Sequence, residues 1–389
     1  MPLLLTGSSA ALCQPIDCGS TELSMPILIT NDFPPERGGI QRLISRVAGE
    51  CAARGGEVIV VAPRLPGSRK IDEELPFRVI RYRVVRQKFV GMLAMLLAFL
   101  KARRVAPGHA TIASVWWPVG AAVALVPRFL RGRFAVMAYG SEIAPERTGF
   151  RRRAMRFVYA RADVVIAISR FTEALLAKVG VEDNVRVVLP GVDVRDVAIA
   201  RASQPTVLSV GRLQDRKGFD RVIEAVARLI PAFPTLRYEI IGDGPQRDAL
   251  RDLARALHVE SRVNFLGAVS DRELWEAYGR AWCFALPVRR VADDVEGFGI
   301  VYLEAALAEL AAVGGTGSGA AEAIVDGVTG LLVDGSSVAA VSEALNTLLN
   351  DRTRADEMGR QGRERALKLS WARMTDEILD LLAAKHELA

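Results

Sequence analysis

The sequence predicts an α/β fold made of two doubly wound parallel-sheet domains with a cleft between them. The chain has 389 residues, too many for one ordinary core and suited to two domains of about 150 to 200 residues each. Short apolar runs bounded by turn residues alternate with helical stretches in two series, which the polar stretch VAIARASQPT separates. Such sheets bind ligands at the carboxyl ends of their strands, so we expect a ligand site in the cleft.

The first series begins near Met25. Its strands are predicted at PILIT, EVIVVAP, HATIASVWW, FAVMAYG, ADVVIAIS and VRVVLPG, with the helix GIQRLISRVAGECAARG between the first two. We assign residues 25–196 to this N-terminal domain. Residues 1–24 lack a basic start, and Pro15 and Asp17 interrupt their apolar segment, so we interpret them as a disordered tail rather than an export signal.

The second series occupies residues 205–368, which we assign to a C-terminal domain. Its strands are predicted at TVLSVG, RYEIIGDG, RVNFLGAV and WCFALPV, each followed by a helical segment.

Composition favours a globular protein of a reducing compartment. Hydrophobic residues make up 50% of the chain and charged residues 25%, and no apolar run approaches the roughly 20 residues that span a bilayer. The four cysteines, Cys13, Cys18, Cys51 and Cys283, have neither paired zinc spacing nor the density of a disulfide scaffold. The cytoplasm is therefore the expected location.

The loop after the first strand of the second series is suited to a diphosphate. In SVGRLQDRKGFDRVIEAVARLI, Arg212 and Lys217 precede an amphipathic helix, whose amino end offers unpaired N–H groups and a partial positive charge. The alternative is that both residues are solvated loop charges. A Walker loop is excluded because its G-x-x-x-x-G-K-[ST] order is absent, and no G-x-G-x-x-G fingerprint follows either domain's first strand.

Two further segments have features of a ligand site. Gly38 and Gly39 lie between a strand and a helix and let the backbone approach a phosphate or sugar, although a plain tight turn is the commoner explanation. In EGFGIVYLEAALAEL, Glu296 and Glu304 lie eight positions apart. A carboxylate accepts hydrogen bonds from both hydroxyls of a vicinal diol, so this pair suits ribose or a hexose. An ordinary surface helix is the alternative.

Together these segments resemble glycosyltransferase family 4, whose members are retaining, sugar-nucleotide-dependent enzymes of the GT-B fold. Eight segments in the family's order carry the resemblance: FPPERGGIQ, AYGSEI, GVD, SVGRLQDRKGFD, IGDGP, EGFGIVYLEA, DGVTGLLV and LSWARM. The resemblance implies two Rossmann-like domains, of which the N-terminal one binds the acceptor and the C-terminal one binds the nucleotide sugar. It also implies a final helix at residues 369–389 that crosses back to the first domain.

The resemblance implies roles for individual residues. Arg212 and Lys217 would hold the donor diphosphate, Glu304 the ribose hydroxyls and Glu296 the transferred sugar. Of these, Glu296, Arg212 and Lys217 are the expected catalytic residues. Further donor contacts would come from Gly39, Phe298, Gly299 and Ile300. Tyr139 stands where the family often has histidine, and we expect its hydroxyl to contact the acceptor or the sugar.

The sequence departs from the family after Glu304. The usual Cys-Gly-x-Pro is replaced by a segment that includes Ala308, Glu309 and Ala311, and Ala321 precedes Glu322 where proline is usual. The loss of two prolines and a helix-ending glycine predicts a less fixed turn after this helix.

No metal and no other cofactor is expected. The chain has no D-x-D triplet, with which metal-dependent transferases hold a cation on the diphosphate, so two side-chain cations and a helix terminus would stabilise the leaving group. The three histidines, His109, His258 and His386, lie outside the motifs, which argues against a histidine base. The resemblance implies a front-face retaining displacement in which the leaving phosphate takes the acceptor proton.

Positive charge is concentrated in the first domain. Between Arg78 and Arg161 there are seventeen basic and two acidic residues, an excess of fifteen charges against +6 for the whole chain. The apolar helix FVGMLAMLLAFLKARR lies in the same region, and this combination suits an anionic membrane surface or an acidic lipid-linked acceptor. The alternative is a core helix with ordinary surface arginines. No recognition motif accompanies the basic region, so we expect no nucleic-acid partner.

The leading hypothesis is a transferase at the inner face of the membrane that moves a hexose from a nucleotide sugar to a lipid-linked or polysaccharide acceptor. GDP-mannose is the favoured donor, because EGFGIVYLEA is similar to the segment in bacterial mannosyltransferases that act on lipids, and UDP-sugars are the alternative. Two other functions stay open: another GT-B enzyme, such as a nucleotide-sugar epimerase, and a homologue that binds the donor without turnover.

Overall fold

The computed structural model describes residues 25–36, 38–84, 88–143, 149–292 and 294–384. The predicted tail at residues 1–24 lies outside these ranges, as do Arg86 and Arg147 of the basic region and residues 385–389 at the end of the chain.

The first domain contains a parallel sheet of seven strands. Its strands are β1 Ile27–Ile29, β2 Ile59–Arg64, β3 Arg78–Arg83, β4 Thr111–Ala113, β5 Phe134–Ala138, β6 Val164–Ala167 and β7 Val185–Val187. Their order is β3-β2-β1-β4-β5-β6-β7. The edge strand β3 was not predicted, because its sequence RVIRYR places three arginines among hydrophobic residues, whereas the prediction relied on the continuous apolar runs of central strands.

The second domain contains a parallel sheet of six strands. These are β8 Thr206–Val210, β9 Arg237–Ile241, β10 Val263–Gly267, β11 Cys283–Leu286, β12 Ala312–Gly315 and β13 Gly330–Val333. Their order is β10-β9-β8-β11-β12-β13. Strands β12 and β13 were not predicted, because the sequences AVGG and GLLV are short and contain glycine, which weakens a strand signal.

Helices connect the strands of both sheets. They are α1 Gly39–Ala53, α2 Ser68–Asp72, α3 Lys88–Val105, α4 Ala121–Ala124, α5 Arg128–Arg131, α6 Phe150–Arg161, α7 Arg170–Lys178, α8 Phe219–Leu229, α9 Arg247–Ala256, α10 Asp271–Arg280, α11 Ile300–Leu307, α12 Ala320–Ala323, α13 Val338–Asn350, α14 Arg352–Leu367 and α15 Trp371–Ala383. Helix α8 illustrates the amphipathic pattern, since Val222, Ile223, Val226 and Leu229 form one buried face. No helix in the described ranges is long and apolar enough to cross a membrane.

The strand order confirms the predicted fold class and fixes where a ligand site can lie. In the first sheet β1 lies between β2 and β4, and in the second β8 lies between β9 and β11. Successive connections therefore leave these strands in opposite directions, which opens a crevice at their carboxyl ends. The segments that follow β1, β8 and β11 contain most of the predicted site residues.

The chain returns to the first domain at its end, where α15 packs against α1. Just before α15, the backbone N–H of Val192 donates to the carbonyl oxygen of Leu369 at 2.8 Å. Further along, Nη2 of Arg54 lies 2.6 Å from Oδ1 of Asp376. These contacts tie the end of the second domain to the first.

Candidate active site

The loop after β8 is a tight turn that carries the predicted diphosphate cations. Gly218, which precedes α8, has a φ of 74°, and a Cβ atom there would overlap the carbonyl oxygen of Pro287. Only glycine lets this loop approach the end of β11 so closely. The approach buries Lys217 and leaves Arg212 exposed.

Lys217 and Glu296, both predicted for the donor site, form an ion pair. The Nζ atom of Lys217 lies 2.6 Å from Oε2 of Glu296, and Nη1 of Arg216 donates to the same oxygen. Burial raises the pKa of Glu296, but the charges of Lys217 and Arg216 outweigh burial and hold this pKa below its usual value. Glu296 is therefore ionised at neutral pH.

The sequence reasoning missed Arg216, although it directly precedes Lys217. The short helical turn Asp215–Lys217 directs both cations at one carboxylate, and Nε of Arg216 also lies 2.8 Å from Oδ1 of Asp294. Two cations and two carboxylates balance in this cluster. The exposed Arg212, for which the described ranges hold no ion-pair partner, adds an uncompensated positive charge on the same loop.

Glu304 is held by partners from both domains. Its side chain is 2% exposed. Arg42 of α1 donates from Nη1 to Oε1 of Glu304, and the hydroxyl of Tyr278 in α10 donates to Oε2 at 2.9 Å. Nη2 of Arg42 also donates to Oδ2 of Asp193 at 2.8 Å. The predicted ribose carboxylate thus links the two domains in this structure. Neither Arg42 nor Tyr278 was identified from the sequence, because their proximity to Glu304 depends on the tertiary fold.

The turn before α11 leaves mainly backbone groups for a ligand. Phe298 is buried in the core, Gly299 has a φ of 85°, and Ile300 begins the helix. In the first domain, Gly39 begins α1 after the loop that follows β1. A Cβ atom on Gly39 would meet no described atom outside its own helix and its chain neighbours within 4 Å. The N-cap residue Gly38 has no side chain with which to cap α1, so N–H groups of the first turn can bind an anion.

The two domains approach each other closely beside Glu296. A Cβ atom on Gly297 would overlap the carbonyl oxygen of Tyr139, and the hydroxyl of Ser169 donates to the carbonyl oxygen of Gly297 at 2.7 Å. The carboxylate of Glu322 accepts the first two N–H groups of α7 at 2.8 and 2.9 Å. A negative charge at a helix amino end is favourable, so the contact of Glu322 with α7 helps to hold the two domains together.

The hydroxyl of Tyr139 is buried beside Met137. Its side chain is buried, and the hydroxyl lies 3.5 Å from the sulfur of Met137. Burial, with a smaller contribution from the charge of Glu142, raises the pKa of Tyr139 well above its usual value. In this structure the backbone of Tyr139 meets the second domain, and the expected contact of its hydroxyl with the acceptor or the sugar stays a prediction.

The turn after α11 is closed despite the missing glycine and prolines. Glu309 adopts a φ of 53°, the left-handed conformation that usually takes glycine at a helix end. The N–H of Leu310 donates to the carbonyl oxygen of Ala305 at 3.0 Å. Nη2 of Arg201 donates to the carbonyl oxygens of Ala308 and Glu309 at 2.8 and 2.9 Å. The expected loosening is therefore offset by Arg201, at the price of a strained Glu309.

Two Rossmann-like domains that face each other across a shared crevice define a protein of the GT-B class. The chain belongs to the family 4 glycosyltransferases and is a glycosyltransferase. The family described as Glycosyltransferase Family 4 matches residues 37–196, and the one described as Glycosyl transferases group 1 matches residues 194–365.

Relatives match nearly the whole chain. The GDP-mannose-dependent alpha-(1-6)-phosphatidylinositol monomannoside mannosyltransferase of Mycolicibacterium smegmatis is 34% identical over 381 residues, which is 93% of this chain and 99% of the relative. The lipopolysaccharide core biosynthesis glycosyltransferase LpsE of Rhizobium meliloti is 27% identical, over 90% of this chain and 96% of the relative.

Solved structures support the fold. Sucrose-phosphate synthase from Thermosynechococcus elongatus superposes with a TM-score of 0.78 at 20% identity, covering 92% of this chain and 98% of that one. The Anabaena HepE protein in complex with UDP and glucose superposes with a TM-score of 0.75 at 20% identity, covering 92% and 99%. These structures share the GT-B architecture with the chain.

Proposed function

We propose that the chain is a retaining, metal-independent mannosyltransferase that transfers mannose from GDP-mannose to a lipid-linked acceptor. The observation that carries the proposal is the joint placement of Lys217, Glu296 and Glu304 at the crevice, in a chain whose relatives include named GDP-mannose-dependent mannosyltransferases. Those relatives act on phosphatidylinositol mannosides according to their names, which favours a lipid over a polysaccharide acceptor.

The residues at the crevice suit this chemistry. Arg212 and Lys217 would hold the donor diphosphate, together with the open N–H groups at Gly39. A donor diphosphate would compete with Glu296 for Lys217 and Arg216. The Glu296 carboxylate would then be available to bind and orient the hydroxyls of the hexose. Negative charge grows on the diphosphate as the glycosidic bond breaks, and fixed cations stabilise that charge most in a site sheltered from water. The leaving phosphate would then take the proton of the acceptor hydroxyl on the same face of the sugar.

Transfer can be tested with purified protein and a panel of nucleotide sugars. We expect GDP release from GDP-mannose that depends on added phosphatidylinositol mannoside, continues in EDTA, and gives an α-linked product by NMR. Release or isomerisation of the donor without acceptor would instead indicate a hydrolase or an epimerase. Donor binding without release under any condition would identify a catalytically impaired homologue. A β-linked product would exclude retention.

The first domain is also proposed to dock on anionic membranes. The proposed docking face consists of Val90, Trp117, Phe150, Arg151 and Arg153, all exposed; Trp117 and Phe150 are 47% and 87% exposed. Helices α3 and α6 both begin at the carboxyl edge of the sheet and both pack on the turn Trp116–Gly120. Exposed aromatic and apolar residues beside arginines are typical of surfaces that bind the membrane interface.

Part of the predicted basic excess is not available to a membrane. Arg103 and Arg131 are buried. Arg103 donates to the carbonyl oxygen of Leu130 at 2.6 Å, and Arg131 donates to that of Arg161 at 2.7 Å. Arg81 is paired with Asp72 at 2.6 Å. These three arginines support the fold, so the net charge of the segment overstates its surface potential. The docking proposal rests on the exposed residues alone.

A further inference from the structure

The hydroxyl of Tyr278 is the partner of Glu304 that comes from the same domain. Tyr278 is fully buried on α10, and its ring centroid lies 5.3 Å from that of Trp275 and 6.1 Å from that of Phe284. Its hydroxyl donates to Oε2 of Glu304 at 2.9 Å. Burial and, after it, the charge of Glu304 raise the pKa of Tyr278 well above its usual value, so this hydroxyl keeps its proton and acts as a donor.

The two partners of Glu304 differ in how firmly they are held. Arg42 belongs to the other domain and its side chain is 33% exposed, so it can leave Glu304 when the domains move or a ligand enters. Tyr278 is packed inside the domain that carries Glu304 and moves with it. A carboxylate offers about four lone-pair positions. With Tyr278 in place and Arg42 displaced, about three remain for the two hydroxyls of a diol.

We infer that Tyr278 is a positioning residue for the donor ribose. By fixing Oε2 of Glu304 it sets the plane of the carboxylate, so that both oxygens present a lone pair to the 2′- and 3′-hydroxyls. Without this bond the carboxylate can rotate about its last side-chain torsion, which is broad for glutamate. The inference rests on the proposed role of Glu304 in ribose binding. It adds a residue that no sequence motif marks, and it predicts selectivity for ribose over deoxyribose.

The competing explanation is that the bond only satisfies a buried phenol. The chain offers a matched control in Tyr238, which is equally buried in the same domain and donates to Oγ of Ser209 at 2.8 Å. A structural role predicts similar consequences for Tyr278→Phe and Tyr238→Phe. A positioning role predicts that only Tyr278→Phe changes how the protein distinguishes ribose from deoxyribose.

The test compares the Kd of GDP with that of 2′-deoxy-GDP by titration calorimetry, using UDP and 2′-deoxy-UDP instead if UDP binds more tightly. The 2′-hydroxyl donates a hydrogen bond to the carboxylate, so its loss should raise the Kd of the nucleotide for the wild type about tenfold or more. In Tyr278→Phe we expect this ratio to fall to about threefold or less, while Tyr238→Phe keeps the wild-type ratio. Partial instability does not affect the ratio, because the fitted stoichiometry reports the folded fraction.

Glu304→Gln separates the inference from the assignment beneath it. If Glu304→Gln leaves the deoxyribose ratio at the wild-type value, Glu304 does not bind ribose, and the proposed donor site is itself mistaken. Suppose that Glu304→Gln brings the ratio of the two Kd values to about one, while Tyr278→Phe keeps the wild-type ratio. Ribose then binds Glu304 and Tyr278 has only a structural role, so the inference is overturned but the donor site is not. A collapse of the ratio in both, with Tyr238→Phe unchanged, supports it.

Discussion

Arg42 of the first domain and Glu304 of the second form an ion pair across the interdomain cleft, and Arg42 also binds Asp193. Glu304 is almost fully buried and Arg42 only partly, so the exposed part of this ion pair belongs to Arg42. A diol that binds Oε1 of Glu304 must therefore compete with the guanidinium. The contact that joins the domains and the proposed ribose contact thus compete for the same oxygen of Glu304.

This competition predicts that Arg42→Gln binds the nucleotide more tightly. Removing the competing guanidinium should lower the Kd for GDP about fivefold, which corresponds to roughly 1 kcal/mol. The ligand-free variant should also have a lower Tm, because Glu304 loses a cation. Calorimetric titration and thermal unfolding measure both effects.

Arg46→Gln is the matched control, because Nε of Arg46 lies 2.9 Å from Oδ1 of Asp193 but Arg46 is not bonded to Glu304. It should leave the Kd for GDP unchanged. A higher Kd for GDP in Arg42→Gln would contradict the competition and would mean that Arg42 itself contacts the nucleotide.

The two diphosphate cations should matter alike for turnover but differently for stability. Lys217→Ala and Arg212→Ala should each lower kcat/KM about a hundredfold or more, since each removes a cation from developing negative charge. Lys217→Ala should also lower the Tm, because Glu296 loses its 2.6 Å partner, whereas Arg212→Ala should not. Steady-state kinetics with GDP-mannose and thermal unfolding give these values.

Arg228 provides a control for loss of charge, since it is exposed at the far end of α8. Arg228→Ala should have wild-type kinetics. Normal turnover in both Arg212→Ala and Lys217→Ala would remove the diphosphate assignment.

The two carboxylates should divide between binding and chemistry. Glu304→Gln should chiefly raise the KM for the donor, because ribose contacts exist before and during reaction alike. Glu296→Gln should chiefly lower kcat, because Glu296 orients the sugar as it is transferred. Full kinetic profiles over donor concentration separate the two parameters, and the opposite pattern would show that the roles are exchanged.

The sequence predicted what depends on local pattern and missed what depends on tertiary proximity. Buried apolar runs such as TVLSV of β8 mark central parallel strands, whereas β3, with its arginines, and the glycine-containing β12 lack that signal. The sequence motifs predicted Lys217 and Glu296 as site residues, and the fold brings these two side chains together. No local pattern indicates that Glu304 contacts Arg42, which lies 262 positions away.

Residue type alone does not reveal how deeply a side chain is buried. Tyr139 was expected to offer its hydroxyl to the acceptor or a sugar; it follows β5 in a buried stretch, and its hydroxyl lies beside the sulfur of Met137. Likewise, counting arginines did not distinguish Arg103, which satisfies buried carbonyl groups, from Arg151, which is exposed. Direction and burial follow from packing, which composition does not encode.

The turn after α11 predicts a stabilising substitution. Glu309 has a φ of 53°, a conformation that disfavours side chains by roughly 1–2 kcal/mol. Glycine removes this strain but loses about 0.4–1 kcal/mol through the greater entropy of the unfolded chain. Glu309→Gly should therefore raise the free energy of unfolding by roughly 0.5–1 kcal/mol in urea titrations. Ala308→Gly, at a φ of −89°, should destabilise instead, and a stabilised Ala308→Gly together with a destabilised Glu309→Gly would refute the strain.

The docking face predicts binding to anionic vesicles. Each basic residue near such a surface contributes on the order of 1 kcal/mol and acts within a Debye length of about 8 Å. Sedimentation with vesicles should show binding that rises with anionic lipid content and falls with added salt. Combined replacement of Phe150, Arg151 and Arg153 by serine should reduce the bound fraction at least several-fold, because it removes the aromatic anchor together with two charges.

Phe129 supplies the control that distinguishes binding through a defined face from non-specific hydrophobic binding. Phe129 is 82% exposed, nearly as much as Phe150. It precedes β5, however, and so lies at the opposite edge of the sheet from Phe150. A membrane that contacts the cleft edge cannot also contact that edge, so Phe129→Ser should bind vesicles like the wild type. Equal losses in both variants would show that exposed apolar surface binds without orientation. If the wild type does not sediment with purely anionic vesicles at low salt, the docking proposal is wrong and an acceptor that reaches the cleft from solution becomes the better explanation.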